Sequence, residues 1–290
     1  MMRVRVMDIR PEERNFPRHT SEGRRSLAIE DSPEDGDGAD VVQVHWLDLA
    51  DAVPADERRW LDFLDAAERA RAARFYHARD RFAFTAAHAL LRALLSRDLG
   101  GPPHLWRFVD QAHGKPALDP AFAFPSLEFN LSHTHGAVAC AVTHGRPVGV
   151  DIENASRDID LLALARAYFA PAETALLEAL VEEERAAAFF QLWTLKEAYV
   201  KARGDGLALA FDRFAFSLDP IGVDLPDASP AEPALWRFRS VLLSGERRLS
   251  VAARSERPLR FHIRQISPSF VDAAAASPPH PERSPGEPPA

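Results

Sequence analysis

From residue 41 the chain alternates apolar and polar positions as VVQVHWLDL (41–49), the period-two pattern of a strand with one covered face. A helical block follows from about Asp56 to Leu99, broken near residues 77–80 and stopped by Gly100, Gly101, Pro102 and Pro103. Next come WRFVD, a turn at HGKP (113–116) and three short strands, LEFNLS (127–132), AVACAVTH (137–144) and PVGVDIE (147–153). Their separators, HTHG and GRP, are short and predict an antiparallel meander. A second helical block runs from about Asp160 to Arg203, with a break at Pro171 and Gly204 as its end signal. Strands at FAFSL, LWRFRSVLL, RLSVAA and LRFHIR complete a body of about residues 41–266.

The order strand, helices, strands thus occurs twice. RFAFTAAHALLRALL and AFFQLWTLKEAYVKA also share a loose aromatic-then-leucine rhythm. The pattern predicts an α+β (α/β) fold of two pseudo-equivalent lobes, each a small, mostly antiparallel sheet packed with helices. The lobes are expected at residues 41–146 and 147–266. Residues 1–40 are charged, lack apolar periodicity and are expected to be a disordered extension. Residues 267–290 hold seven of the 23 prolines and are expected to be a disordered tail.

Composition narrows the function. The 290 residues are 46% hydrophobic and 27% charged, a globular profile. No apolar run approaches the roughly 20 residues of a membrane span, and the N-terminus lacks the apolar segment of a secretory signal, so the cytoplasm is expected. Cys140 is the single cysteine, which excludes an intrachain disulfide and a cysteine-rich zinc site. A net charge of -8 argues against nucleic-acid binding. Within residues 69–81, however, Arg69, Arg71, Arg74, Arg79 and Arg81 meet only one acid, Asp80. Such a segment suits a small anionic ligand, or is simply a solvated helix face.

Three stretches carry candidate chemistry. In WTLKEAYVK, helical spacing lines up Trp193, Glu197 and Lys201, beside an apolar stripe of Leu192, Leu195, Tyr199 and Ala202. Taken alone, Glu197 and Lys201 read as an exposed ion pair worth about 0.3–0.5 kcal/mol. In VGVDIE, Val148, Val150 and Ile152 share one strand face, and Gly149, Asp151 and Glu153 the other. Two acids on one face are either solvated or bridged by a cation, and hard oxygen donors suit magnesium. FNLSHTHG offers Asn130, Ser132, His133 and His135. Ser132 and His133 are adjacent and point to opposite strand faces, which disfavours a nucleophile–base pair. Without further histidine or cysteine ligands nearby, the two histidines do not make a zinc site. His133 fits a phosphate contact or a satisfied turn histidine, and Lys115 of HGKP can reach an anion site or lie on the surface.

Together GKP, FNLSH, VGVDIE and FFQLWTLKEAYVK resemble the 4'-phosphopantetheinyl transferase superfamily, of the type that primes nonribosomal peptide and polyketide synthase carrier domains. The resemblance runs from the basic helix near Arg74 to DGL at 205–207. It implies transfer of the phosphopantetheine arm of coenzyme A to a serine of an apo acyl or peptidyl carrier protein, releasing adenosine 3',5'-bisphosphate. It further implies magnesium at Asp151, Glu153 and Glu197, with Asp151, Glu197 and Lys201 catalytic and Glu197 the general base. Coenzyme A would be held by Arg74, Arg79, Arg92, Lys115, Ser132, His133, Lys196 and Lys201. Trp193 is expected to pack behind the site, and His135, His144 and Cys140 to be structural. A site between two lobes of one chain suggests a monomer. A metal-dependent phosphodiesterase or nucleotidyl hydrolase, and a non-catalytic coenzyme A-binding protein, are the alternatives.

Overall fold

The computed structural model describes residues 28–29, 40–156 and 159–276. Strands β1 (Ala28–Ile29) and β2 (Asp40–Asp48) precede helices α1 (Pro54–Leu61), α2 (Ala66–Ala72) and α3 (Ala78–Leu99). Strands β3 (Phe108–Asp110), β4 (Pro116–Leu118), β5 (Leu127–Thr134), β6 (Ala137–His144) and β7 (Val148–Asn154) follow. Then come α4 (Leu161–Tyr168), α5 (Pro171–Ala179) and α6 (Glu182–Arg203). The chain closes with β8 (Ala215–Leu218), β9 (Ile221–Asp224), β10 (Trp236–Leu243), β11 (Arg247–Arg254), β12 (Leu259–Ile266) and α7 (Pro268–Ala275).

The α+β expectation holds, and the repetition goes deeper than the rhythm of two helices. In the first half a strand (β2) leads to three helices, a small hairpin (β3–β4) and a long hairpin (β5–β6) whose second strand pairs antiparallel with β2. In the second half β7, three helices, β8–β9 and β10–β11 repeat that order, and β11 pairs antiparallel with β7. Each half sets one 22-residue helix against its sheet. Ends are made locally. The first turn of α6 carries Glu182, Glu183 and Glu184, which complement the helix dipole. Its last turn closes on Gly204 in the left-handed conformation, donating to the Val200 carbonyl.

Three apolar cores stack the layers as helix, sheet, sheet, helix. One lies between α3 and the outer face of the first sheet, through Leu90, Leu94, Phe129 and Val138. A second surrounds α6 and includes Leu192, Leu195, Tyr199 and Ala202, the stripe expected from spacing. The third joins the two sheets face to face, with Val42, Val44 and Ala139 against Val148, Val150, Ile152 and Val251. The central strand β2 is covered on both faces, so its alternation is lost after Gln43.

Four expectations change. The meander stops at β6, because β7 joins the second sheet beside β11. The boundary at 147 marks the start of the repeat, but β12 returns to pair parallel with β2 in the first sheet, so the second half ends before it. Residues 268–275 form α7 where a disordered tail was expected. Ser267 caps the helix, Val271 and Ala274 are buried, and Asp272 accepts from Arg59 (2.7 Å) and the Trp60 indole (3.0 Å). Each helical block also has a break at positions without glycine, at 62–65 and at 180–181. Most of the expected N-terminal extension and the segment 277–290 lie outside the described residues.

Candidate functional site

The site forms where the edge of the first sheet meets the edge of the second. Gly149 decides how near α6 comes to β7. A Cβ there would lie 2.1 Å from the Ala198 carbonyl oxygen and 2.4 Å from the Ala202 nitrogen, so only glycine admits the helix. That contact brings the α6 face bearing Glu197 and Lys201 over the β7 face bearing Asp151 and Glu153. Lys201 Nζ lies 2.6 Å from Asp151 Oδ1, 3.2 Å from Ser132 Oγ and 3.4 Å from the Val150 carbonyl oxygen. Burial opposes the Lys201 charge, but Asp151, Glu197 and Glu153 outweigh it, and its pKa stands above that of an ordinary lysine. Burial raises the Glu197 carboxyl; Lys201 draws it down and Asp151 pushes it up.

From the other side β5 contributes two faces. Its inner-face residues, Asn130, Ser132 and Thr134, reach β7. Asn130 Oδ1 accepts from the Val150 N–H (2.9 Å), Ser132 Oγ accepts from the Ile152 N–H (3.2 Å) and donates to Asp151 Oδ1 (2.9 Å), and Thr134 Oγ1 donates to Glu153 Oε2 (2.9 Å). On the opposite face His133 is exposed. Desolvation, then the charges of Lys201, His88 and Arg71, lower its pKa to about 4, while Asp80 raises it. The exposure of its ring to solvent argues for a smaller shift than full burial gives. His88 is itself held by Glu68, Nδ1 to Oε1 at 2.7 Å.

The sequence expectations divide cleanly. Asp151, Glu197, Lys201, Ser132 and Glu153 converge, with His133 on the neighbouring face. Ser132 does so as a positioning group, since its one proton and both lone pairs are taken within the protein. Arg74 lies in the connector before α3, and Arg79 in the first turn of α3 with its side chain 55% exposed. Their chain neighbours Arg71 and Asp80 act on His133.

Three residues expected on coenzyme A are occupied elsewhere. Arg92 is fully buried; it donates to Glu68 (2.7 Å), Asp65 (2.9 Å) and the carbonyls of Pro103 and Trp106 (both 2.8 Å). Lys196 is also fully buried, on Glu173 (2.7 Å) and the carbonyls of Phe211 (2.7 Å) and Phe214 (2.6 Å). Neither presents surface to a ligand, because each donor is spent on closing a core. Lys115 pins the seam, with Nζ 3.3 Å from the Val148 carbonyl, 3.5 Å from that of Ala202 and 3.6 Å from Glu128. His88 and Arg71, neither of them expected on coenzyme A, act on His133 through their charge. His88 lies one turn before Arg92 on α3, and that spacing was the available signal. Trp193 packs among Tyr168, Phe169, Phe189 and Phe211, behind the site as expected. Cys140 is buried, and burial raises its thiol pKa.

Among the described residues no three His, Cys, Asp or Glu side chains already form a metal cluster, and the nearest counter-charge to Asp151 is Lys201. The donor set nevertheless fits a hard divalent ion. Asp151 Oδ2 is buried with no hydrogen-bond partner, a cost that a bound cation would remove. Glu197, repelled by Asp151 across the same space, would lose that repulsion on the same event.

Comparison with known proteins bears on both halves. Residues 52–145 match the family model "4'-phosphopantetheinyl transferase, N-terminal", and residues 147–253 match "4'-phosphopantetheinyl transferase superfamily". The chain is 41% identical over 171 residues to the 4'-phosphopantetheinyl transferase HetI of Nostoc sp., covering 59% of this chain and 68% of that protein. To the 4'-phosphopantetheinyl transferase Sfp of Bacillus subtilis it is 32% identical over 176 residues, covering 60% and 76%. The holo-[acyl-carrier-protein] synthase of Thermotoga maritima superposes with a TM-score of 0.29 at 18% identity, over 38% of this chain and 64% of that one, too loosely to carry an argument. On the matches to both halves and to HetI, the chain belongs to the 4'-phosphopantetheinyl transferase superfamily.

Proposed function

We propose that the seam between β5 and β7 transfers the phosphopantetheine arm of coenzyme A to a serine hydroxyl of an apo carrier protein. The observation that carries this reading is Lys201 and Glu197 set over Asp151, whose Oδ2 is buried without a hydrogen-bond partner. Asp151, Glu197 and Glu153 are the residues that would hold magnesium, which supplies charge neutralisation at the pyrophosphate. Lys201 adds a fixed positive charge beside the same phosphates. His133, with Arg74 on the connector before α3 and Arg79 in the first turn of that helix, suits the remaining phosphate charge. The carrier serine Oγ forms a bond to the β-phosphorus, and the bond from that phosphorus to the bridging oxygen of adenosine 3',5'-bisphosphate breaks. The serine proton passes to Glu197, directly or through water; a carboxyl raised by burial is the stronger base.

All these groups come from one chain, which supports a monomer as the working unit. No helix of the described residues is long and apolar enough to cross a membrane, and coenzyme A and carrier proteins as substrates support a cytoplasmic site of action. The test is to incubate the full chain with coenzyme A, magnesium and a panel of apo carriers, and to measure intact mass. Gain of one phosphopantetheine per carrier is expected. Coenzyme A cleaved with every carrier unmodified would replace this reading by the hydrolase.

A further inference from the structure

We propose that β5 sets the metal affinity of the site, through Ser132 and Thr134, by orienting the acids of β7. The inference rests on the reading above, that Asp151 and Glu153 serve a divalent ion. Among the described residues β7 has a ladder partner on one edge only, β11. On its other edge the Val150 and Ile152 N–H groups are satisfied by the side chains of Asn130 and Ser132. The paired residues advance together, 130 with 150 and 132 with 152, so β5 runs parallel to β7 but stands a side chain's length away. The hydroxyls at 132 and 134 then fall beside the acids at 151 and 153. Ser132 turns Asp151 Oδ1 toward itself and Lys201, which leaves Oδ2 without a partner. Thr134 holds Glu153 by Oε2.

The far end of this seam is locked independently. Arg247 of β11 bonds both oxygens of Asp48 (2.8 and 3.0 Å) and the carbonyl of Gly136 (3.2 Å), two residues beyond Thr134. At the near end Lys115 joins the turn at 113–116 to β7 and α6. The strand of one half is therefore held against the acids of the other at both ends. Hydroxyls that orient ligating carboxylates in this way tune metal affinity through geometry.

The test uses full-length protein with coenzyme A and no carrier, so that nothing turns over. Mn²⁺ binding is followed by electron paramagnetic resonance, and coenzyme A binding in the absence of metal by calorimetry. Thr134→Val keeps the shape and removes the hydroxyl. It should weaken Mn²⁺ roughly 10–100-fold and leave metal-free coenzyme A binding within about twofold, and Thr134→Ser should restore the wild-type value. Ser132→Ala examines the other acid, so a folding defect in one variant leaves the other to decide. Wild-type Mn²⁺ affinity in the folded variants, with Asp151→Asn still abolishing binding, overturns the positioning role and spares the function. Unchanged Mn²⁺ binding in Asp151→Asn overturns the metal assignment, and the positioning role with it.

Discussion

The two halves are built to one plan, and the plan is clearest in what looks least functional. Arg92 lies 14 residues after Ala78, the first residue of α3, and Lys196 lies 14 after Glu182, the first of α6. Each pairs with the glutamate at the third position of the preceding helix, Glu68 in α2 and Glu173 in α5. Each glutamate also accepts from the backbone N–H at its helix start, Asp65 and Ala170 respectively. Each cation donates to two carbonyls just before the next small hairpin begins, and lies over a phenylalanine there, Phe108 or Phe214. The buried pair is a device of the fold, used twice.

Registered on those pairs, the halves differ where chemistry is at stake. The residue after Lys196 is Glu197, and five residues on is Lys201; the same steps from Arg92 give Ala93 and Arg97. The strand residue under the influence of Arg97 is His45, where the second half has Asp151 under Lys201. In the first half α7 fills the space: Phe270 stacks on His45 at 5.7 Å and lies under Arg97 at 5.5 Å. The outer edge of β2 is closed by the parallel strand β12, whereas that of β7 is left to side chains of β5. One scaffold thus gives a sealed copy and an open one.

The largest effect should come from the open copy. Glu197→Gln or Asp151→Ala should lower transfer by roughly 10²–10⁴-fold or more, as loss of a general base or of metal charge does. The fold should survive, because both acids sit in a polar seam. Glu197 carries a raised pKa, so its charge costs stability at neutral pH, and Glu197→Gln should melt no lower than wild type. Transfer assays and thermal melts together decide; near-normal turnover at saturating magnesium would sink the assignment.

Next come the twinned ion pairs. Lys196→Met leaves Glu173 buried without its counter-charge and should cost about 3–5 kcal/mol in denaturant unfolding. Arg92→Met should fall in the same range. Coenzyme A affinity of the folded fraction should be unchanged in both. A variant of wild-type stability that binds coenzyme A weakly would return that residue to the ligand site.

The sealed copy can be reopened. Deleting residues from 267 onward removes α7, and with it the buried Val271 and the partly buried Phe270. The loss should be roughly 3 kcal/mol from apolar burial, while deletion from 277 onward should change little. Comparison of the two deletions by urea unfolding checks the role of α7.

These contrasts also show what was legible beforehand. The stretches that converge at the candidate site were readable because their residue types are rare in combination: a glycine before two alternate acids, and a glutamate one turn before a lysine. The topology of β7 was not, since short separators describe which strands can pair and not which do; Asn130 and Ser132 look like strand residues until their partners are known. Arg92 and Lys196 misled because a buried cation and a ligand cation look the same in sequence, and only the glutamate brought in from another helix separates them. The tail misled because its prolines lie mostly beyond residue 277, and Pro268 sits in the first turn of a helix, where proline is tolerated.

The last effect separates the sealed site from the open one by acid. His45 and His133 both have pKa values lowered to about 4, in each case chiefly by desolvation. A histidine with a depressed folded pKa is harmless above its unfolded value of 6.5; stability is lost as pH falls from there toward 4, because the unfolded chain takes the proton first. His45 is buried under Phe270, so its share should approach about 3 kcal/mol. His133 is exposed, and solvent screening should hold its share below about 1 kcal/mol. Urea unfolding of wild type, His45→Asn and His133→Asn between neutral pH and the acid end of that window measures both shares. His45→Asn should flatten most of the slope that these two histidines cause, and His133→Asn little of it. Added coenzyme A should favour protonated His133 through its phosphates and oppose the acid loss in wild type and in His45→Asn, but not in His133→Asn. If His133→Asn flattens the slope more than His45→Asn does, the surroundings of His133 are the drier of the two places and the sealed copy is not sealed.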